Sequence, residues 1–154
     1  MRRPSGIVRI RVVESGKVVW EYEGRNLFVY SGRPALASLI GGDTAGEFAA
    51  VIGFASGSNP PTINDTHLTA PAYYKALDGH TLDGNGAVAF DWSLTGADTG
   101  AQGVTIQELA LFANHAGIGL PGTTAPTPML ARKTIAPILF TANMSLSGTW
   151  TLTF

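Results

Sequence analysis

The three histidines of the chain are the first residues to consider for metal binding or acid–base chemistry. His67 follows Asp65 by two residues and His80 follows Asp78 by two, so each has a carboxylate close by in the sequence. A metal site needs three or four converging ligands, and neither segment supplies a third. We interpret both histidines, together with His115 in a glycine-containing loop, as turn or surface residues, and we predict no metal site.

A second candidate is the segment 78–86, DGHTLDGNG, where Asp83 and Asn85 alternate with glycines as they would in a calcium-binding loop. Such loops close with a bidentate acid, and the next acid, Asp91, lies inside a predicted strand. Tight turns explain the segment more simply, because glycine adopts the positive φ angles that such turns require.

Glu108 is the third candidate, because it is the only acid between Asp98 and the C-terminus and lies in an otherwise apolar strand. An isolated carboxylate could act as a general base, but no second acid, histidine or lysine shares its strand. We interpret Glu108 as a hydrogen-bonded structural residue or as an interface acid paired with Arg132 or Lys133.

Other routes to catalysis are also missing from the sequence. There is no Gly-x-Ser-x-Gly elbow and no P-loop. The absence of cysteine excludes disulfides, thiolate zinc sites and cysteine nucleophiles. We therefore predict no catalytic residue and no cofactor, and we expect that the protein is not an enzyme.

Composition points instead to a protein that contacts other subunits. Only 14% of the 154 residues are charged, against about 25% in an average soluble domain, and a surface so poor in charge suits a chain packed against neighbours. The net charge of −1 gives no footprint for nucleic acid, and no apolar run approaches the roughly 20 residues of a membrane span. We predict neither nucleic acid nor membrane as a partner.

The charge is unevenly distributed along the chain. Residues 1–33 contain seven cations and three acids, a balance of +4, whereas the rest contains three cations and eight acids, a balance of −5. A basic segment of one copy could meet an acidic face of another; a solvated first hairpin is the alternative. The candidates for subunit contacts are Arg2, Arg3, Arg9, Arg11, Arg132 and Lys133.

Hydrophobic periodicity predicts a mainly β protein. Apolar residues alternate with polar ones in the opening hairpin and most regularly in residues 144–154, and Pro137 is expected to interrupt the strand that begins at residue 129. We predict about eight strands in an antiparallel β-sandwich or jelly roll, with one short helix near residues 33–40. Residues 1–154 form a single domain, from which the hairpin 1–25 stands slightly apart as an interaction arm.

The order of several short motifs resembles a group of small virion structural proteins of tailed bacteriophages. In that group the pattern runs roughly N-L-V, G-x-G-x-x-x-P, D-T-x-L, E-x-G-L-F, L-x-A-R and W-x-I-x-F. The matching segments are Asn26-Leu27-Phe28-Val29, Ile52-Gly53-Phe54 with Gly57 and Pro60-Pro61, Asn64-Asp65-Thr66 with Leu68, Glu108-Leu109-Ala110-Leu111-Phe112, Met129-Leu130-Ala131-Arg132, and Trp150 with Leu152 and Phe154. Two positions depart from it: Phe54-Ala55 replaces a second glycine, which questions the turn after Val51, and Ala110 replaces a glycine.

The resemblance implies a virion component. Members of the group are head decoration (cement) proteins or tail and baseplate accessory proteins. We favour a capsid cement protein on the capsid surface that bridges major capsid subunits and other copies of itself as a homo-oligomer. A tail or baseplate protein is the alternative. The rival from another class is a carbohydrate-binding module that stacks sugars on aromatic rings, although strand alternation buries most of the candidates, which are Trp20, Tyr22, Tyr73, Tyr74 and Trp92.

Overall fold

The computed structural model describes residues 4–42, 49–113, 120–126 and 128–154. These residues form nine strands, one α-helix and two short 3₁₀ helices at Tyr30–Gly32 and Thr99–Ala101. The elements are β1 Ser5–Glu14, β2 Lys17–Phe28, α1 Arg33–Ile40, β3 Ala49–Ala55, β4 Ala72–Ala76, β5 Gly79–Leu82, β6 Ala87–Leu94, β7 Thr105–Ala113, β8 Met129–Leu139 and β9 Met144–Thr153.

All nine strands belong to one antiparallel sheet with the order β4-β3-β7-β8-β2-β1-β9-β6-β5. Strand β2 joins its two parts, because it pairs with β1 up to Asn26 and with β8 at Leu27 and Phe28. We call β2, β1, β9, β6 and β5 the five-stranded half, and β4, β3, β7 and β8 the four-stranded half.

The sheet curls so that the two halves face each other across one core. Residues of β1, β6 and β9 lie in the same buried cluster as residues of β3 and β7. Phe54 of the four-stranded half meets Trp92 of the five-stranded half edge to face, with ring centroids 5.5 Å apart. The prediction of a mainly β, antiparallel, sandwich-like fold with one short helix is confirmed.

Apolar side chains alternate with polar ones along β9, except at Gly148, where packing leaves no room for a side chain. Leu146, Trp150 and Leu152 point into the core, and Gly148 occupies the remaining inward position. A Cβ at Gly148 would collide with the backbone oxygen of Arg9 and with the Trp92 ring. Glycine at this position therefore makes room for the largest side chain of the core.

The strand expected over residues 49–55 is β3. Two other local expectations were wrong. β5 is a strand in a segment that we assigned to turns. Pro137 lies within β8, because the pairing with β7 shifts register between Ile106 and Glu108 and leaves Pro137 without a ladder partner. A proline is tolerated at such a bulge, since its missing N–H is not required there.

The opening hairpin does not stand apart from the body. β1 pairs with β9 along its whole length, and the backbone N–H of Ser15 in the hairpin turn donates to the oxygen of Asn143 at 3.1 Å. The expectation of an arm formed by residues 1–25 is therefore corrected: β1 is an interior strand of the sheet. Its contact with another subunit remains a prediction.

Candidate functional site

The most unusual side chain of the described structure is the buried Glu108 on β7. Its neighbours Leu109 and Leu111 point into the main core, whereas Ala110 and Phe112 belong to a second apolar cluster. Glu108 shares this second face, is 0% exposed, and lies beneath the proline-rich segment 56–71 that connects β3 to β4. We call residues 56–71 the covering loop.

Four donors surround the Glu108 carboxylate. Oε1 accepts the backbone N–H of Gly57 at 3.0 Å and that of Thr69 at 2.6 Å, which lie near opposite ends of the covering loop. Oε2 accepts Nε of Arg132 at 2.8 Å and Nη2 of the same residue at 2.5 Å. A carboxylate offers about four acceptor positions, and all of them are used here.

Arg132 extends this network to the middle of the covering loop. Its Nη1 donates to Oδ2 of Asp65 at 2.7 Å, and its Nη2 donates to the backbone oxygen of Asn59 at 3.1 Å. Arg132 is adjacent to Ala110 in the pairing of β8 with β7, which places it on the same face as Glu108. We call Glu108, Arg132 and Asp65 the clasp.

Further contacts hold the covering loop beside the clasp. The N–H of Tyr30 donates to the oxygen of Ile63 at 2.8 Å, and the hydroxyl of Ser31, which bonds the oxygen of Met129 at 2.8 Å, lies 3.4 Å from the oxygen of Asp65 in the loop. Ser31 therefore does not cap α1, whose N-cap is Gly32. Leu68 of the loop inserts into the second apolar cluster. The loop is held by charge at its ends and centre and by apolar contact through Leu68.

Electrostatic interactions favour the charged forms of Asp65 and Arg132. Partial burial tends to raise the pKa of Asp65, but hydrogen bonds from Thr62 and Arg132 and the positive charge of Arg132 outweigh it, so the pKa lies below its usual value. For Arg132, burial disfavours the charge, but Glu108 and Asp65 more than compensate and raise its pKa. Burial and the nearby charge of Glu108 raise the pKa of Tyr74.

This arrangement is suited to holding structure and not to catalysis. A general base needs a lone pair directed at a substrate proton, and every acceptor position of Glu108 is occupied by the chain itself. Of the two interpretations of Glu108, the hydrogen-bonded structural residue agrees with this geometry. The pairing with Arg132 that was expected of an interface acid occurs within the chain. The partner that sequence reasoning missed is Asp65, which is 67 positions from Arg132.

A second, smaller cluster is centred on Asp98 between β4 and the loop after β6. Its carboxylate accepts Lys75 Nζ at 2.9 Å, the Tyr73 hydroxyl at 3.1 Å and the Thr95 N–H at 2.8 Å. Burial tends to raise the pKa of Asp98, but these donors and the charge of Lys75 lower it overall. Burial and the adjacent Asp98 raise the pKa of Tyr73 to about 12. This cluster, too, is satisfied by the chain.

The predicted interface residues are found in different environments. Arg132 is 4% exposed and binds acids of its own chain, so it is not available as a surface contact and the expectation for it is corrected. Lys133 lies beside the Tyr22 ring, with Nζ 5.5 Å from its centroid. Arg9 and Arg11 are exposed and pair with Glu23 and Glu21. Arg2 and Arg3 lie outside the described residues.

The candidates for metal and calcium binding are explained by local structure. His67 and His80 are exposed, and His115 lies outside the described residues. Asp83 accepts the N–H groups of Asn85 and Ala87 at 2.7 and 2.9 Å, as expected for a tight turn. No group of three or more potential metal ligands occurs in the described part of the chain.

The aromatic residues considered for sugar stacking are largely internal. Tyr73, Tyr74 and Trp92 are buried, and Trp20 stacks on Tyr22 with ring centroids 5.4 Å apart and both rings partly covered. Stacking on a sugar requires an exposed ring face. This geometry does not support the carbohydrate-binding rival.

Comparison with known proteins supplies no family for the chain. No protein-family model, no curated protein and no solved structure matches it. Among the described residues, no helix is long and apolar enough to cross a membrane. Function must therefore be argued from the clasp, the surface and the sequence resemblance.

The first prediction concerns the replacement Glu108→Gln. It removes the charge that neutralises buried Arg132, and breaking a buried ion pair costs about 3–5 kcal/mol, so the free energy of unfolding should fall by that order. Urea unfolding measures it. The matched control is Glu23→Gln, which removes the exposed pair with Arg9 and should cost less than about 1 kcal/mol. Equal, small effects of both replacements would contradict a structural role for the clasp.

The second prediction concerns acid stability. A carboxylate whose folded pKa is lowered stabilises the fold above its ordinary pKa, and this stabilisation is lost as the pH falls through the folded value. For Asp65 this loss begins below about pH 4. Asp65→Asn should lower the free energy of unfolding at pH 7 by about 1.5–3 kcal/mol. Below about pH 4, the free energy of unfolding of this variant should decrease less steeply with falling pH than that of the unmodified protein. Exposed Asp91→Asn is the control, and an unaltered acid slope in Asp65→Asn would refute the assignment.

Proposed function

We propose that this protein is a non-enzymatic structural subunit of a tailed-bacteriophage particle, acting as a cement protein on the capsid surface. The proposal rests on one observation: the short motifs on which the sequence resemblance is based lie next to one another at the clasp. Gly57, Asp65, Glu108 and Arg132 come from four separate motifs, and all four meet in or at the clasp.

The other motif residues surround the same feature. Leu68 packs in the second apolar cluster, and a Cβ at Gly53 would lie 2.6 Å from Leu68 Cδ1. Val29, Ala110 and Met129 line this cluster as well. The motifs therefore describe one way of fixing a loop to a sheet, which supports a shared fold with the resembling virion proteins and carries no requirement for catalysis.

A cement protein acts by covering the joints between capsid subunits. Its contribution to particle strength comes from many repeated contacts, each of modest area, which combine through avidity. The low charged fraction and the rigidly held covering loop suit such a role, because a pre-organised surface loses little conformational entropy on binding. The expected partners are the major capsid protein and other copies of the chain.

A tail or baseplate location is the second candidate, because the resemblance includes such proteins. In that case the copies would form a ring or trimer about the tail axis. The two locations differ in copy number, since a capsid lattice offers many more equivalent positions than a tail.

Purified particles of the virus that encodes the chain test the proposal. Quantitative mass spectrometry should find hundreds of copies per particle, and cryo-electron microscopy should place a nine-stranded density on the outer capsid. Particles lacking the protein should release their DNA at lower temperature. A handful of copies on the tail would support the alternative, and absence from purified particles would refute both.

A further inference from the structure

The two halves of the sheet differ in what covers their outer faces. The covering loop lies over the outer face of the four-stranded half. On the five-stranded half, the outward side chains of the central strands are exposed or half-exposed, and no described element packs over them. We call this surface the open face. A structural subunit that leaves one sheet face uncovered has a broad, flat surface available for contact.

Strand register defines the composition of the open face. Arg9 is opposite Glu23 on β2 and Thr149 on β9, and the next outward row places Arg11 opposite Glu21 and Ser147. Toward β6 the rows continue with Asp91 and Ser93. The outward positions of β9 carry small hydroxyl side chains, and most of the charge of the face lies on β1 and β2.

Four charged side chains of the open face form two parallel columns of opposite sign, and the exposed Arg25 lies in the next outward row of β2, opposite Ile7. Arg9 and Arg11 form the column on β1, and Glu23 and Glu21 form the column on β2. The Arg9 Nε–Glu23 Oε2 distance is 2.6 Å and the Arg11 Nε–Glu21 Oε1 distance is 2.8 Å. In the described residues, both guanidinium groups make these bonds through Nε, and their Nη groups make no side-chain hydrogen bond.

These pairs contribute little to the stability of a single chain. Their side chains are 57–61% exposed, and exposed ion pairs contribute about 0–1 kcal/mol. The columns nevertheless border an open trough of about 510 Å³, lined also by Ser147 and Thr149. This trough, which lies over β2, β1 and β9, can accept the side chains of a facing surface.

We infer that the open face binds the open face of a second copy, with each Arg9–Arg11 column lying over the Glu21–Glu23 column of the partner. A two-fold axis parallel to the strands and between β1 and β2 places the β1 column of one copy over the β2 column of the other. Arg9 then faces the partner's Glu23, and Arg11 faces the partner's Glu21. Packed sheets lie about 10 Å apart, a gap that two long charged side chains can span.

Charge complementarity favours a second copy over other partners. The two columns together carry no net charge, so a uniformly acidic or basic partner gains nothing from them. A partner must present the same two columns in reverse order, and a copy related by a two-fold axis parallel to the strands does so. Such a contact fixes orientation more than it adds affinity, which suits a weak pair that is reinforced by many contacts on a lattice.

Two other surfaces are less suitable as contact sites for a second copy. The open edge of β2 contains a bulge opposite Val12 and Val13, and bulges on edge strands oppose pairing with another strand. The apolar groove between α1 and β6 is bordered by Ala49, which follows the undescribed residues 43–48. Neither surface identifies its occupant.

Charge-reversal variants of the full chain test the pairing. Sedimentation equilibrium at low salt should detect a reversible dimer of the unmodified protein at about 0.5 mM or below. Arg9→Glu/Arg11→Glu makes both columns acidic and Glu21→Arg/Glu23→Arg makes both basic, so each variant alone should dimerise at least tenfold more weakly. An equimolar mixture of the two should associate at least tenfold more tightly than either alone, and added salt should weaken it.

A matched control separates the columns from net charge. Lys17→Glu/Arg33→Glu and Arg9→Glu/Arg11→Glu each lower the net charge from −1 to −5, but only the second alters the columns. Mixed with Glu21→Arg/Glu23→Arg, the control should bind at least tenfold more weakly than the Arg9→Glu/Arg11→Glu variant does. Equal binding would overturn the inference, and so would a monomeric unmodified protein at about 0.5 mM. Circular dichroism and urea unfolding establish that each variant is folded.

The inference deepens the proposed function but can fail independently of it. If the unmodified protein is monomeric in solution yet still decorates particles, the pairing of open faces is wrong and the cement function stands. If the protein dimerises as described but is absent from particles, the pairing is correct and the proposed function is wrong.

Discussion

A buried carboxylate is the constraint on which the rest of this structure depends. An ionised group removed from water is strongly destabilising unless charge and hydrogen bonds compensate for the lost hydration. Glu108 obtains this compensation from Arg132 and from the backbone amides of Gly57 and Thr69. The sheet therefore needs the covering loop to satisfy its acid, and the loop needs the acid to hold its position. Loss of the loop contacts would leave Glu108 without two of its hydrogen bonds, and loss of Glu108 would leave the loop amides without their acceptor, so either loss would destabilise the fold.

This mutual dependence explains why two positions at the junction of the loop and the sheet are glycines. A Cβ on Gly57 would collide with Glu108 Oε1, and a Cβ on Gly53 would lie 2.6 Å from Leu68 Cδ1. Glycine at both positions lets the loop approach the sheet closely enough for its amides to reach the carboxylate. The short motifs that contain these residues thus correspond to steric and hydrogen-bonding requirements of one junction.

The sequence predicted those features that depend on local pattern. Alternation in residues 144–154 identified β9, and the short helix expected near residues 33–40 is α1. The isolation of Glu108 in an apolar strand, with Arg132 as a possible partner, was also readable. Asp65 could not be assigned to the clasp, because it meets Arg132 only after β3, β4, β7 and β8 have paired. The continuation of β8 through Pro137 likewise depends on a bulge that only the register with β7 creates.

The two halves of the sheet differ in where their charged side chains lie. The four-stranded half uses its charged groups internally, where they fix the covering loop, and the five-stranded half displays its charged groups on an open face. This division accounts for a chain that has few charges yet no free acid–base site in its described interior. The chain therefore combines a loop that is fixed on one half of the sheet with a charged surface that is exposed on the other half.

Amide hydrogen exchange at Gly57 and Thr69 tests the role of the buried carboxylate most directly. Both residues lie in a loop, and exposed loop amides exchange rapidly. If their N–H groups donate to Glu108 as described, both should exchange as slowly as amides of β7, and both should lose this protection together in Glu108→Ala while amides of β1 and β9 keep theirs. Rapid exchange of both amides in the unmodified, fully folded protein would contradict the account.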